Sequence, residues 1–238
     1  MSLLPITLGV RRNLDAQGNG GKRKSLKKGT LKNLVQQTLE RDKHTCRYCG
    51  FTSKQYQKAI PKDWAASDLA AGELVTACVF CDQCLALETV GPMASGVLIW
   101  LPEISQAALH HLIRAVYAAR AHGDKLPEKI RSCAGRAFDV LLHARGEAKR
   151  RIGTDEPSVL ASVMLENVAE AAYLKRGEKL QGLRLLPLDR RIVANGGGEL
   201  DQFPRIISYW ISPEGPYGAM PPEKWETLNR FAKQGAAG

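Results

Sequence analysis

The chain has 238 residues, 44% of them hydrophobic, with 34 Lys+Arg against 24 Asp+Glu. That is enough apolar material for a buried core and too much for a disordered tail or a disulfide miniprotein. The net charge of +10 is uneven, since residues 1–45 carry ten basic and three acidic side chains; a basic front suggests contact with nucleic acid or with an acidic protein surface.

In chain order, Met1 to Val10 is apolar and is followed by the basic pair Arg11 and Arg12. A secretory signal has the reverse order, so the expected compartment is the cytoplasm. Leu3 to Val10 reads as a short strand or an apolar arm. The segment Gln17 to Gly29 is expected to be mobile, and its Lys22, Arg23, Lys24, Lys27 and Lys28 are the candidate nucleic-acid contacts. Leu31, Leu34, Val35, Thr38 and Leu39 recur at helical spacing, so a helix capped by Thr30 is predicted to run to about Asp42. The longest uncharged run, Thr89 to Pro102, has 14 residues and is too short to span a bilayer as a helix. Within it Val97 to Leu101 reads as a strand bounded by Gly96 and Pro102.

Ser105 can cap a helix whose Leu109, Leu112, Ile113, Val116 and Tyr117 form one apolar stripe, stopped by Gly123. Pro127 opens a second, with Ile130, Cys133, Ala134, Ala137, Phe138, Leu141 and Leu142 on its apolar face, and the two are expected to pack as a hairpin. His110, His111, His122 and His143 show no ligand spacing and read as surface or core residues. A third helix is predicted from about Pro157 to Val168, continuing towards Lys175. Gly182 to Pro187 reads as extended and buried, and Asn195-Gly-Gly-Gly198 as a flexible break. The remainder, rich in aromatics and prolines, reads as an arm laid against the body or a partner. Tyr209, Trp210, Tyr217 and Trp225 are its candidate partner-binding residues.

The cysteines carry the strongest chemical signal. Five of six fall in a short stretch: Cys46, Cys49, Cys78, Cys81 and Cys84, with Cys133 alone on a helix face. In a cytoplasmic chain this clustering argues for metal, not disulfides. Cys46-Arg-Tyr-Cys49 and Cys78-Val-Phe-Cys81 are two CxxC pairs, each able to present two thiolates to one ion. Four thiolates make a closed tetrahedral Zn2+ site, one ion with a structural role. Spacing alone also permits Cys81 with Cys84 as the second pair.

Arg41-Asp-Lys-His-Thr-Cys46-Arg-Tyr-Cys49-Gly50, followed by Leu74-Val-Thr-Ala-Cys78-Val-Phe-Cys81, resembles the zinc-containing branch of the HNH endonucleases. The resemblance implies a ββα-metal fold and favours Cys78 with Cys81 as the second pair. It does not carry nuclease activity: Gly50 to Ala77 contains no His and no Asn, and Glu73 stands where that family has Asn before Leu74. With the flanks Glu88-Thr-Val-Gly91, Leu98-Ile-Trp-Leu-Pro-Glu103 and Leu183-Arg-Leu-Leu-Pro187 included, the chain resembles the IcmJ (DotN) family of Dot/Icm type IVB secretion over about residues 31–190.

That resemblance implies an α+β chain with an HNH-like zinc module embedded in a mainly helical body. The expected division is a basic, mobile arm (1–30), the zinc module (31–102), a helical body packed on it (103–194) and an aromatic, proline-rich arm (195–238). The implied role is a non-catalytic adaptor of the coupling complex. Its expected partners are the coupling ATPase and other subunits, with the inner membrane reached only through them and with weak or no nucleic-acid binding. The competing readings are a nucleic-acid-binding zinc protein and, behind it, an HNH endonuclease.

Overall fold

The computed structural model describes residues 2–12, 28–62 and 73–218. It is an α+β arrangement of helices and three two-stranded antiparallel sheets. Helix α1 (Lys28–Arg41) begins two residues before Thr30, so Lys28 and Gly29 are helical instead of closing a mobile arm. Strands β1 (Gln57–Pro61) and β2 (Leu74–Cys78) pair with Gln57 opposite Cys78 and Pro61 opposite Leu74. All five residues of β2 are buried, and its last one, Cys78, leads directly into α2 (Val79–Cys84). Asp42, just past α1, fixes the helix to this sheet by accepting the Thr76 backbone N–H at 2.9 Å, with Arg41 paired to the same carboxylate.

Strand β3 (Gly96–Trp100) pairs across the chain with β4 (Leu183–Pro187). Successive side chains on a strand point to opposite faces. Here Val97, Ile99 and Leu186 join the apolar cluster that contains the cysteine pairs, while Leu98, Leu183 and Leu185 join a second cluster. The ribbon is thus buried on both faces, which is why β3 reads as a continuous apolar run and not an alternation, while β4 admits one charged residue, the half-buried Arg184. Its edges are also closed. Leu98 N–H and Trp100 N–H donate to the carbonyls of Asp155 and Ala144, and Gln106 bonds both backbone groups of Leu185. Gly182, at φ +92°, precedes β4 where an added Cβ would lie 2.7 Å from the Trp100 ring, so both conformation and space require glycine.

Helix α3 (Gln106–His122) starts where Ser105 Oγ accepts the Ala108 N–H and ends at Gly123 (φ +55°). Helix α4 (Glu128–His143) packs against it with Ala134, Ala137 and Leu141 buried, and the two alanines let the axes approach. Helix α5 (Arg145–Ile152) follows. The long third helix expected from Pro157 is instead two, α6 (Pro157–Glu166) and α7 (Glu170–Leu174). The break is stabilised from afar: the Arg12 guanidinium takes the carbonyls of Met164 and Val168 and lies 4.0 Å over the Tyr173 ring. After α8 (Arg176–Lys179) and β4, the glycine-rich stretch expected as a flexible break is the turn of a hairpin, β5 (Ile192–Asn195) with β6 (Gly198–Asp201). Helix α9 (Phe203–Trp210) completes the described elements.

Residues 2–12 include the segment expected as a short strand or an apolar arm. They form no strand, but Leu8 and Val10 are buried, and Gly9 exchanges backbone hydrogen bonds with Cys84 and Leu87. Apolar burial and paired backbone groups hold this segment on the body. Lys22, Arg23, Lys24 and Lys27 lie outside the described residues, as does Trp225. Among the described residues, no helix is long and apolar enough to cross a membrane.

Candidate metal centre

The first cysteine pair sits in a tight turn closed by the Thr45–Thr52 bridge. Cys46 N–H donates to Phe51 O, and Gly50 N–H to Cys46 O, each at 2.9 Å, while Gly50 takes φ +74°. A left-handed glycine at this point returns the chain so that Cys46 and Cys49 project to one side. The second pair straddles a strand-to-helix junction. Cys78 ends β2 and caps α2, its Sγ facing the Cys81 N–H at 3.5 Å. Arg47 N–H to Thr76 O, at 2.8 Å, joins the two pieces. The sulfurs of Cys46, Cys49, Cys78 and Cys81 all lie within 4.8 Å of one another, and all four residues are buried.

Helix α3 lays a polar stripe against this group. Gln106, His110 and Arg114 stand four residues apart on one face, interleaved with Leu109, Ile113 and Tyr117, and all six are buried. Gln106 has its amide orientation fixed by β4, because its Oε1 accepts the Leu185 N–H and its Nε2 donates to Leu185 O. The same Nε2 lies 2.9 Å from His110 Nε2, which must therefore be the bare, accepting nitrogen. The proton then sits on His110 Nδ1, 3.3 Å from Cys81 Sγ, where it donates to sulfur. Burial pulls the His110 pKa down to about 4, so this imidazole is neutral at pH 7. Arg114 Nη2 reaches Cys78 Sγ at 2.7 Å and Cys49 Sγ at 3.6 Å. His111 Nε2 donates to the Cys49 carbonyl at 2.6 Å.

The four sulfurs are electrostatically unequal. The thiols of Cys46, Cys78 and Cys81 donate towards Cys49 and hold it well below the ordinary thiol range. Burial, reinforced by the neighbouring sulfurs, pushes Cys78 and Cys81 well above it. Four thiolates this close repel one another unless a cation takes their lone pairs. The donor set fits a divalent ion preferring tetrahedral sulfur. The surroundings fit as well, since Arg114 supplies a buried positive charge and His110 and Cys81 N–H point hydrogens at sulfur. These four cysteines can hold one metal ion.

No family model matches the sequence. Over 160 residues the chain is 31% identical to the type 4 apparatus protein DotN of Legionella pneumophila, a match covering 66% of this chain and 73% of that protein. The chain belongs to the DotN (IcmJ) family. The match thus spans about two thirds of the chain, and it links the chain to the Dot/Icm family of type IV secretion proteins.

Within this family member, Cys84 stands apart from the four-sulfur group. It lies in the second apolar cluster with its Sγ 3.6 Å from His110 Nε2. Cys133 is buried on α4. The aromatic candidates divide. Trp210 is only 1% exposed, edge-on to Phe51 and Phe80 at ring separations of 5.4 and 5.6 Å, so it is core and cannot be a partner surface. Tyr217 stacks 6.2 Å from Phe51, and Tyr209 lies 6.0 Å from Tyr56, both half-buried. The described part of the aromatic segment is therefore laid against the body, over the first cysteine turn. Sequence reading found no metal-ligand spacing for His110 and passed over Gln106 and Arg114. The available signal was three polar residues at i, i+4 and i+8 on the apolar face of one helix.

Proposed function

We propose that this protein is a zinc-stabilised, non-catalytic adaptor subunit of a Dot/Icm-type secretion coupling complex. In this reading it binds the coupling ATPase and helps to recruit substrates at the inner membrane. The observation that carries the adaptor reading is the closed sulfur set in a chain of the DotN family. Zinc held by four thiolates keeps no open position for water or substrate, so it supports the fold and does no hydrolysis. Cys46, Cys49, Cys78 and Cys81 are the proposed ligands. The order β1, β2, α2 around them is compatible with a degenerate HNH-like ββα module, and Gly50 to Ala77 lacks the histidine that such a nuclease uses to activate water. In the proposed division the module of residues 31–102 is closed by the helical body of 103–194 through α3.

The test is co-purification of the full chain with the coupling ATPase and, in parallel, titration with duplex DNA, each at low and moderate salt. A partner complex that persists in moderate salt supports the adaptor. An arm neutralising about five phosphates would lose roughly 500-fold in DNA affinity on a fourfold rise in salt. DNA binding that stays tight in moderate salt with no ATPase complex, or metal-dependent nicking of a plasmid by the pure protein, would overturn it.

A further inference from the structure

Arg114 is fully buried, and a guanidinium keeps its charge under all physiological conditions. Its position is unusual for such a group. Among the described residues no carboxylate pairs with it, and its Nε and Nη1 have no hydrogen-bond partner. Aromatic rings surround it instead: the guanidinium carbon lies 4.1 Å from the centre of Phe51, 5.0 Å from Phe80 and 5.9 Å from Trp210. The polar contacts it does make are to sulfur, Cys78 and Cys49 through Nη2. A buried charge without a counter-ion is strongly unfavourable, and ring faces offset only part of that cost.

The missing counter-charge has a natural source. Four thiolates around a divalent ion carry a net charge of −2, and this anion too is buried, away from water. We propose that Arg114 is the resident counter-charge of the metal–thiolate centre. Resting on the reading that the four cysteines hold a divalent ion, this makes Arg114 a positioning residue that favours the loaded state over the stripped one. The geometry also gives the centre two supports from distant sequence. Helix α3 brings the cation, and α9 with Tyr217 brings the aromatic wall that keeps water from it.

The sign of the effect separates this role from ordinary packing. An arginine that only fills space stabilises loaded and stripped protein alike. An arginine that neutralises the centre stabilises the loaded protein more than the stripped one, where the dianion is gone and, of the two sulfurs it reaches, only Cys49 is held towards its thiolate.

The test uses the full chain with Arg114→Met and Arg114→Gln, which remove the charge, and Arg114→Lys, which keeps it. Zinc affinity is read by competition with a chromophoric chelator, and unfolding midpoints are measured with zinc and after chelation. Loss of an outer-sphere partner typically weakens metal binding about 10- to 100-fold, and that loss is expected for Met and Gln, with Lys closer to wild type. The Met and Gln variants are expected to lose more stability in the loaded form than in the stripped form. Cobalt(II) substitution adds a readout of sulfur electronics: without the nearby cation, the thiolate-to-cobalt bands of Arg114→Gln move to longer wavelength. If Arg114→Met fails to fold, the affinity and cobalt spectrum of Arg114→Gln decide. Unchanged zinc affinity in the neutral variants, or equal destabilisation of loaded and stripped forms, would overturn the proposal. Wild type that binds neither zinc nor cobalt would instead overturn the metal reading beneath it.

Discussion

Replacing Cys78 and Cys84 separately by serine tests the ligand set most directly, because the two residues have the same sequence relation to Cys81. Cys78 Sγ stands 3.7 Å from Cys49 Sγ and accepts from both Arg114 and the Cys81 N–H. Structural zinc binds small peptides with roughly 10–16 kcal/mol, so one of four thiolates represents about 2.5–4 kcal/mol, or roughly 100- to 1,000-fold in affinity. Cys78→Ser should lose that much. Cys84 is fully buried among Leu87, Val90 and Leu98, outside the four-sulfur group, and a hydroxyl there costs about 1–3 kcal/mol of folding stability with or without metal. Cys84→Ser should therefore unfold earlier yet keep its zinc affinity. Elemental analysis of the purified variants and chelator competition check both outcomes. Zinc retained by Cys78→Ser and lost by Cys84→Ser would refute the assignment of the centre.

Three further outcomes follow from the packing. Burial alone raises the Asp42 carboxyl, but hydrogen bonds from Arg41 and Thr76 outweigh it and hold its pKa below the ordinary value. Its stabilisation is then present above the ordinary aspartate pKa of about 3.9 and is lost as the pH falls below that value and through the lower folded-state one. Asp42→Asn should cost about 1.5–3 kcal/mol at pH 7, with the gap to wild type closing in acid, as followed by urea unfolding across that range. Trp210→Ala empties a fully packed site between Phe51 and Phe80 and should cost about 3–5 kcal/mol in the same assay; a change near zero would place Trp210 outside the core. Arg12→Ala frees the carbonyls of Met164 and Val168 at the break between α6 and α7, so limited proteolysis should cut near Asn167 sooner than in wild type.

The features the sequence determined by itself are those set by neighbouring residues. Ser105 caps α3 and Gly123 stops it because both act within one turn. Gly96 and Pro102 bound β3 for similarly local reasons, and CxxC spacing makes each cysteine pair a two-sulfur unit wherever it is placed. Long-range contacts decided the rest. Spacing cannot rank Cys78 above Cys84, since only the path of α2 against the first cysteine turn puts one sulfur inside the group and the other in a different apolar cluster. Residues 2–12 look like a tail until Leu8 and Val10 find the surface that buries them. The one long helix expected after Pro157 is two, in part because Arg12, more than 150 positions away, takes the carbonyls at the break. Trp210 is core through Phe51 and Phe80, both distant in the chain. Gln106, His110 and Arg114 look like polar intrusions on an apolar helix. The sulfur cluster that gives them partners exists only once β2, α2 and the first cysteine turn have closed on α3, because the energy that justifies a buried charge belongs to the pair and not to either residue.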